Sequence, residues 1–325
     1  MKALVYTDTE TLEMRDMPDP VPGKGEALVR VEAVGICGSD MHAWLGHDER
    51  RPAPLILGHE VAGTVASGPR TGQRVTLNPL ATCGACPACR AGRDNLCPDR
   101  QIISMPPREG GFAELVRIPE RNLVALPDHV PATAACMVEP LACGWHALRL
   151  AHRVLDGTPA RVLILGGGAI GFGAALAARA MGSADIAIVE PNPARRRRLS
   201  EIDRFTMLER APTGAAPDLV VDAAGFAATR QTASDLVAPG GVILHIGLGQ
   251  PTEGLNIRRM TLQEITFIGT YTYTAQDFRD CAQALFDGRL GPCDWAETRP
   301  LNEGAAAFRD IHGNAVAAPK LVLVP

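Results

Sequence analysis

The sequence lacks an excess of charge of either sign. Its 32 Lys and Arg residues are nearly balanced by 36 Asp and Glu residues, which gives a formal net charge of -4 at pH 7. Such a chain offers no broad basic surface to nucleic acid or anionic lipid, because binding to either polyanion depends on clustered Lys and Arg. We therefore expect small molecules and further copies of the chain as its partners.

Long uninterrupted apolar runs are also missing. Charged residues, Pro and Gly break every hydrophobic stretch before it reaches the roughly 18–20 residues that cross a bilayer. The opening residues, MKALVYTDTE, do not include the apolar core of a secretory signal peptide. Both absences favour a cytoplasmic protein that does not enter the membrane.

Length and hydrophobic pattern predict two domains. A chain of 325 residues is long for one hydrophobic core, because single cores stop growing near roughly 250–300 residues. The first third contains short alternating runs such as ALVRVEAVG, which are typical of β-strands. From Arg161 onward, strand-like runs alternate with Ala-rich helical runs, a pattern that predicts a parallel sheet. The predicted fold class is α/β: a β-rich domain plus a doubly wound parallel sheet.

Four of the nine Cys residues lie within one short segment. Their spacing, C-x2-C-x2-C-x7-C, lets a short lobe wrap four thiolates around a tetrahedral zinc ion. Such a closed site has no vacancy for substrate, so its role would be structural. Redox-active cysteines or disulfides are the alternatives, and both are less expected in a large chain of this kind. The predicted structural zinc ligands are Cys83, Cys86, Cys89 and Cys97.

A second group of metal-binding residue types is spread over three segments: Cys37 in GICGSDMH, His59 and Glu60 in LGHE, and Glu139 in MVEPLACG. Taken singly, each has an ordinary explanation, such as a buried core Cys or a surface His beside Glu. Together they offer the mixed S, N and O ligands and the open position that a catalytic zinc requires. We therefore predict a second, catalytic zinc, with either glutamate as its third protein ligand.

A glycine-rich motif follows the strand-like run RVLIL. Residues 166–171 read GGGAIG, which fits G-x-G-x-x-G, and a helical run comes next. This context predicts a turn that approaches a pyrophosphate and a helix N-terminus that faces the anion. Glu190 ends the next strand, where a carboxylate binds ribose hydroxyls and repels a 2′-phosphate, so NAD is favoured over NADP. The arginine run from Arg195 argues the other way, because it could reach such a phosphate. The predicted cofactor contacts are Gly166, Gly168, Ala169, Ile170, Gly171, Glu190, Arg195 and Gly247.

The segments GICGSDMH, GHEVAGTV, the four-cysteine lobe, VEPLACGWHAL and LGGGAIG occur in the order of the zinc-containing medium-chain alcohol dehydrogenases. The chain resembles this family over nearly its whole length. The resemblance implies a GroES-like catalytic domain (residues 1–146 and 276–325), with a Rossmann domain (residues 147–275) inserted between its two parts. It also implies zinc in the cleft and a homo-oligomer, either a dimer or a tetramer. Glu139 stands where liver-type members carry Cys, which indicates the polyol and threonine dehydrogenase-like branch.

The resemblance also implies a reaction. Zinc would act as a Lewis acid on a secondary alcohol, diol or sugar alcohol, a proton would leave through a hydroxyl and imidazole relay, and hydride would pass to NAD to give the ketone. Asp40 is expected either to orient this site or to cap its loop. The alternatives are a zinc-dependent epimerase-like or lyase-like enzyme with tightly held NAD, or a non-catalytic NAD-binding relative. The expected catalytic residues are Ser39, His42, Cys37, His59 and Glu60.

Several positions need a choice between pocket and core. Trp44, Tyr271 and Tyr273 are interpreted either as walls of a substrate pocket or as core packing. Thr272 stands where polyol dehydrogenases commonly carry Arg, which argues against a long polyol. We interpret His146, like the other remaining histidines outside the parallel sheet, as a solvated side chain.

The interval between Glu190 and Asp218 is shorter than two helices and a strand require. The run ARRRRLSEI can form a helix and RFTML can form a strand. The remaining residues, ERAPTGAAP, would then connect two strands without a helix. The sequence therefore predicts that one Rossmann helix is missing.

Overall fold

The computed structural model describes all of residues 1–325. Its β-strands are β1 (Lys2–Asp8), β2 (Thr11–Asp16), β3 (Glu26–Gly35), β4 (Leu55–Ile56), β5 (Glu60–Ser67), β6 (Arg74–Leu77), β7 (Leu80–Ala81), β8 (Gln101–Ile102), β9 (Leu115–Pro119), β10 (Leu123–Ala125), β11 (Arg161–Leu165), β12 (Asp185–Val189), β13 (Thr206–Leu208), β14 (Leu219–Asp222), β15 (Val242–His245), β16 (Thr266–Gly269), β17 (Ala296–Pro300) and β18 (Lys320–Val324).

The α-helices are concentrated in the second half of the chain. They are α1 (Gly38–Trp44), α2 (Pro87–Arg90), α3 (Ala132–Ala135), α4 (Val138–Val154), α5 (Ala169–Ala180), α6 (Pro193–Ile202), α7 (Ala227–Leu236), α8 (Ile257–Leu262), α9 (Ala275–Phe286) and α10 (Gly304–His312).

The first sheet system follows from alternation in the sequence. In β3, Ala27, Val29 and Val31 are buried whereas Arg30 is exposed, so one face of the strand packs into the core. β3 pairs antiparallel with β5, β9 and β18. The sheet has the order β10-β6-β5-β3-β18-β17, with β9 also on β3. Because β17 and β18 come from the C-terminal part, the chain returns to the sheet in which it began.

The second sheet is entirely parallel, with the order β13-β12-β11-β14-β15-β16. Its central strand β11 is apolar on both faces because both are covered: Val162 and Ile164 belong to one core cluster, Leu163 and Leu165 to another. The strand order reverses between β11 and β14, and such a switch point is where α/β sheets bind ligands. These two sheets confirm the predicted fold class.

The connection between β13 and β14 has neither helix nor strand, which confirms the predicted missing helix. α6 and β13 form where ARRRRLSEI and RFTML stand, and residues 209–218 run as an irregular crossover. Pro212, Ala215 and Ala216 of this crossover line a cavity of about 300 Å³ together with Leu208 of β13. A short apolar loop thus packs beside the edge of the sheet in place of a helix.

α4 lies between the two sheet systems and packs against α5 and α9. It is the longest helix, and most of its first ten residues are buried. The predicted domain boundary between residues 146 and 147 falls inside α4 and stays a prediction. No helix of the structure combines the length and the apolarity needed to cross a membrane.

Candidate active site

Cys37, His59 and Glu60 come together just beyond the end of β3. Cys37 follows β3, and His59 and Glu60 stand at the start of β5, its antiparallel neighbour. One ligand atom from each of the three side chains lies within 4.8 Å of those of the other two. The pairing sets Gly35 opposite Glu60, where a Cβ atom would lie 1.9 Å from Glu60 Oε2. Only glycine at this position leaves room for the carboxylate.

Asp40, which is fully buried, holds two of these residues. Its Oδ2 accepts a hydrogen bond from the backbone N–H of Cys37 at 2.9 Å, and its Oδ1 lies 3.5 Å from His59 Nδ1. Burial lowers the pKa of His59, but the Asp40 carboxylate outweighs this effect and raises that pKa well above its ordinary value. Because Nδ1 faces Asp40, Nε2 is the ring nitrogen left for a metal ion.

Glu60 is fully buried and has one partnered and one unpartnered oxygen. Lys320 Nζ donates a hydrogen bond to Glu60 Oε1 at 2.5 Å and another to the carbonyl oxygen of Ile36 at 3.0 Å. Burial lowers the pKa of Lys320, but Glu60 outweighs this effect, so the pKa is raised and the ammonium stays charged. Glu60 Oε2 has no hydrogen-bond partner. A buried oxygen of this kind is costly, and a cation beside Cys37 and His59 would satisfy it.

Glu139 lies in the first turn of α4, next to this group although outside its tightest cluster. Burial raises the pKa of Glu139, His59 lowers it and Glu60 raises it again, so the charges of the other two residues reach its carboxylate. Tyr273, which is fully buried, donates a hydrogen bond from its hydroxyl to Glu139 Oε1 at 2.6 Å. Cys37, His59 and Glu60 thus form one cluster, and Glu139 lies outside it but within reach of the charges of His59 and Glu60.

Ser39 and His42 lie on α1, directly after Cys37, which caps the helix. Their spacing of three residues puts both side chains on one face of the helix. Ser39 Oγ is buried without a hydrogen-bond partner, whereas His42 is exposed to solvent. A buried hydroxyl followed by an exposed imidazole is an arrangement that can carry a proton from a closed site to water.

The four cysteines of the lobe form the second cluster. All four Sγ atoms lie within 4.8 Å of one another, and none forms a disulfide. The backbone N–H groups of Ala85 and Cys86 point at Cys83 Sγ and lower its pKa to about 6. Burial and the neighbouring thiols raise the pKa of Cys89 to about 12. Four converging sulfur atoms, one of them prepared as a thiolate, match a closed zinc site.

The glycine-rich turn follows β11 as predicted, and the structure requires glycine at two of its positions, Gly166 and Gly171. Gly166 has φ 104°, a left-handed conformation that side chains rarely adopt. A Cβ atom on Gly171 would lie 1.8 Å from the carbonyl oxygen of Gly166, whereas one on Gly168 would meet nothing within 4 Å. The backbone at Gly168, where α5 begins, is thus open to a ligand. Gly247 packs against the next loop, since its Cβ would lie 2.3 Å from the carbonyl carbon of Ala224.

Glu190 lies beside this turn, just after β12. Its Oε2 accepts a hydrogen bond from Gly167 N–H at 3.0 Å, and its Oε1 accepts one from Asn192 N–H at 2.8 Å. Arg195 stands 3.6 Å away, and its Nε is buried without a partner. Glu190, which favours NAD, and Arg195, which would favour NADP, are therefore neighbours.

One cavity of about 250 Å³ reaches from Cys37 to the dinucleotide-type turn, whereas His59, Glu60 and Glu139 are not among its lining residues. Cys37 and Met41 line it from one side and Arg195 from the other, and Lys320 also faces it. The remaining predicted residues on its wall are Gly168, Ala169, Ile170 and Gly171. A ligand in this cavity would touch both Cys37 and the glycine-rich turn.

Two interpretations need correction. Trp44 is a core residue and not a pocket wall, because it is buried with its ring 5.9 Å from that of Phe308. His146 is not solvated: it is buried on α4, and its Nδ1 lies 2.6 Å from Asp277 Oδ2. Arg149, one turn further along α4, binds the same carboxylate.

Lys320 and Asp277 were absent from the predicted site. Lys320 opens the strand-like run KLVLVP, and a charge at the start of an otherwise apolar buried strand was the available signal. Asp277 stands three residues after Thr274, a capping-box spacing that indicated only a helix start. In both cases the partner is distant in sequence, so the pairing itself could not be predicted.

Two family models match the chain. The alcohol dehydrogenase GroES-like domain matches residues 23–128, and the zinc-binding dehydrogenase domain matches residues 169–287. Sorbitol dehydrogenase of Bacillus subtilis (strain 168) is 31% identical over 294 residues, covering 84% of this chain and 82% of that protein. L-galactonate-5-dehydrogenase of Escherichia coli (strain K12) is 29% identical over 307 residues, covering 89% of this chain and 88% of that protein.

Solved structures extend the similarity to the whole fold. A zinc-binding dehydrogenase of Sinorhizobium meliloti 1021 bound to NADP has a TM-score of 0.88 and 28% identity, covering 100% of this chain and 99% of that one. Acetophenone reductase of Geotrichum candidum NBRC 4597 in complex with NAD has a TM-score of 0.89 and 26% identity, covering 100% and 97%. The chain belongs to the family of zinc-binding alcohol dehydrogenases.

Proposed function

We propose that this chain is a zinc- and NAD-dependent dehydrogenase that interconverts a secondary hydroxyl group, in a secondary alcohol, diol or sugar alcohol, and the corresponding ketone. The observation that carries the proposal is the one cavity lined by both Cys37 and the turn Gly168–Gly171. Hydride transfer needs the substrate carbon beside the cofactor, and such a shared cavity provides that neighbourhood. The names of the two relatives, a sorbitol and a galactonate dehydrogenase, support a polyhydroxylated substrate.

We infer that Cys37 and His59 are the two fixed ligands of the catalytic zinc, with a glutamate as the third. The unpartnered Oε2 of Glu60 favours this residue, and Glu139, held by its bond from Tyr273, is the alternative. Sulfur, nitrogen and oxygen donors with an open position fit zinc better than a hard cation. When bound, zinc supplies Lewis-acid polarisation of the substrate oxygen.

The chain's own residues then handle the proton. Ser39 Oγ would accept the proton of the substrate hydroxyl while it gives up its own hydroxyl proton toward His42, and the exposed imidazole would release a proton to water. Asp40 fixes the positions of Cys37 and His59 relative to each other, because its carboxylate contacts both residues. The unpartnered state of Ser39 Oγ in a buried position supports this role, since a substrate hydroxyl would be its missing partner.

NAD, when bound, supplies the hydride acceptor. We infer that Gly166, Gly168 and Gly171 shape the turn for its pyrophosphate, with the N–H groups of Ala169 and Ile170 facing the anion. Glu190 would bind the adenosine ribose and exclude a 2′-phosphate, Arg195 would lie alongside, and Gly247 would allow the close approach of the neighbouring loop.

The four-cysteine lobe would hold a structural zinc ion. Its role reaches beyond its own fold, because Asn95 Nδ2 donates a hydrogen bond to the carbonyl oxygen of Tyr271 at 2.8 Å, and Asp94 Oδ2 accepts one from Ala275 N–H at 3.0 Å. We infer that an ordered lobe fixes the position of the segment around Tyr273, and with it the hydrogen bond from the Tyr273 hydroxyl to Glu139.

We also propose the division into domains at residues 1–146 with 276–325 and at residues 147–275, a cytoplasmic location and a homo-oligomer, either dimer or tetramer. The return of β17 and β18 to the first sheet supports the division. The half-exposed edge strand β16, together with the exposed Leu248, Ile257 and Leu262, supports self-association at the parallel sheet.

Replacing one ligand separates the reaction from cofactor binding. Cys37→Ser should abolish NADH formation while NADH binding, followed by fluorescence, stays within about twofold of the original. Cys293→Ser, which changes a buried cysteine outside both clusters, is the matched control. Near-normal turnover of Cys37→Ser would contradict the proposal.

A further inference from the structure

One arginine, Arg100, contacts both the ring and the hydroxyl of Tyr271. The guanidinium carbon of Arg100 lies 4.9 Å from the centre of the Tyr271 ring, and its Nε donates a hydrogen bond to the Tyr271 hydroxyl at 3.3 Å. Arg50 comes from the loop after α1. The Asp48 hydrogen bond contributes most to the raised pKa of Arg50, and Tyr271 is close enough to contribute as well.

Tyr271 belongs to the segment that reaches Glu139, one of the candidate zinc ligands. Tyr271 is two residues before Tyr273, whose hydroxyl binds Glu139, so their Cα atoms are at most about 7 Å apart. The loop of Arg50 is tied to the same site from the opposite direction, since Arg51 Nε donates a hydrogen bond to the carbonyl oxygen of Ser104 at 3.0 Å. The Oγ of Ser104 lies 3.4 Å from His59 Nδ1.

Carboxylates do not neutralise all the positive charges of Arg50, Arg51 and Arg100. Asp48 binds both Arg50 and Arg51, at 2.8 and 2.6 Å, and so neutralises one of them. Arg100 forms no ion pair; its NH1 donates only to the carbonyl oxygen of Cys97 at 2.9 Å. An exposed guanidinium held against a ring, with donors to spare and no carboxylate partner, is prepared to bind an anion.

We propose that the substrate is a sugar acid and that Arg100 binds the carboxylate at the end remote from the reacting hydroxyl. This rests on the proposed function, because the hydroxyl must stand near Cys37 and Glu139 while the carboxylate reaches Tyr271. The carboxylate is chosen because Arg100, which has no ion pair of its own, matches a single negative charge, and a phosphate ester is a separate outcome of the test. Arg100 sets specificity here and takes no part in hydride transfer.

The test compares each aldonate with the alditol of the same carbon configuration, because the pair differs only in the terminal group. With the zinc-loaded enzyme and NAD, we expect kcat/KM for the acid in the preferred pair to exceed that for the alditol at least tenfold. Arg100→Gln should lower the ratio of acid to alditol about tenfold or more, mainly through KM, as the loss of a charge-assisted hydrogen bond predicts. Arg100→Lys should restore part of it.

Two controls keep the test decisive. Arg90→Gln changes an exposed arginine of the same lobe that has no contact with Tyr271, and should leave the ratio unchanged. NADH binding by Arg100→Gln reports whether that variant is folded. Preference for the alditol or its phosphate ester, or an equal loss for both members of the pair in Arg100→Gln, would overturn this inference and leave the dehydrogenase function standing. If no member of any pair were oxidised, the proposed function itself would fail.

Discussion

Tyr273 donates a hydrogen bond to Glu139 Oε1 across 2.6 Å and so joins the segment after β16 to the first turn of α4. This segment is held on both sides of the tyrosine. Asn95 binds the carbonyl oxygen of Tyr271, and Thr274 caps α9, whose Asp277 in turn binds α4. The position of the Glu139 carboxylate therefore depends on contacts with the four-cysteine lobe and with two helices.

Tyr273→Phe removes this bond and keeps the ring. We expect kcat/KM to fall about tenfold or more, because a hydrogen bond to a charged group contributes about 1.5–3 kcal/mol. Steady-state kinetics at pH 7 measure the loss. Tyr6→Phe, a buried tyrosine of β1 distant from this segment, is the matched control. Equal activity of Tyr273→Phe and the original enzyme would show that the bond does not position Glu139.

The buried pair of Lys320 and Glu60 predicts a stability effect. In the zinc-free protein, Lys320→Met should lower the free energy of unfolding by about 3–5 kcal/mol, because it leaves the Glu60 carboxylate buried without its counter-charge. Adding Glu60→Gln should recover most of this loss without restoring turnover. Urea unfolding of both variants gives the comparison. If Lys320→Met alone were as stable as the original chain, Glu60 would have another partner.

Glu190 and Arg195 predict the cofactor preference. Glu190→Ala should raise the ratio of NADP to NAD activity at least tenfold, because the repulsion of a 2′-phosphate is lost while Arg195 stays in place. The double variant Glu190→Ala with Arg195→Ala should give a smaller rise. Kinetics with both cofactors decide this, and an unchanged ratio would remove Glu190 from the ribose site.

Asp277 predicts a dependence of stability on pH. Burial raises the pKa of Asp277, but hydrogen bonds from His146, Arg149 and Thr274 outweigh it and hold the pKa well below its ordinary value. A carboxyl whose pKa is lower in the folded state stabilises the fold above its unfolded pKa and loses that contribution as the pH falls. Asp277→Asn should therefore cost about 2 kcal/mol near pH 7. The difference in the free energy of unfolding between this variant and the original chain should start to narrow at about pH 4, the ordinary pKa of Asp, and should keep narrowing as the pH falls toward the lower folded pKa. A gap that is independent of pH would contradict the ionic role.

The parts that could be predicted from sequence are those with short-range signals. The four cysteines lie in one segment, and the glycine motif lies between a strand and a helix, so spacing alone indicated their clusters. The short interval after Glu190 also sufficed to predict a missing helix, because connection lengths have narrow limits. These features are local, and the structure agrees with them.

The parts that could not be predicted depend on distant contacts. Trp44 had equally good explanations as pocket or core until Phe308 was seen beside it. His146 reads as an ordinary helix residue because its partner Asp277 comes from α9. Lys320 meets Glu60 only because β18 returns to β3, and a single sequence carries no signal for that pairing.

Zinc content per chain, measured by elemental analysis on protein purified without added metal and followed by NADH formation from matched alditols and aldonates, tests the two-site description most directly. We predict close to two zinc ions for the original chain, close to one for Cys37→Ser with no turnover, and close to one for Cys89→Ser with reduced thermal stability. About one ion in the original chain without NADH formation, or two ions and full turnover in Cys37→Ser, would contradict it.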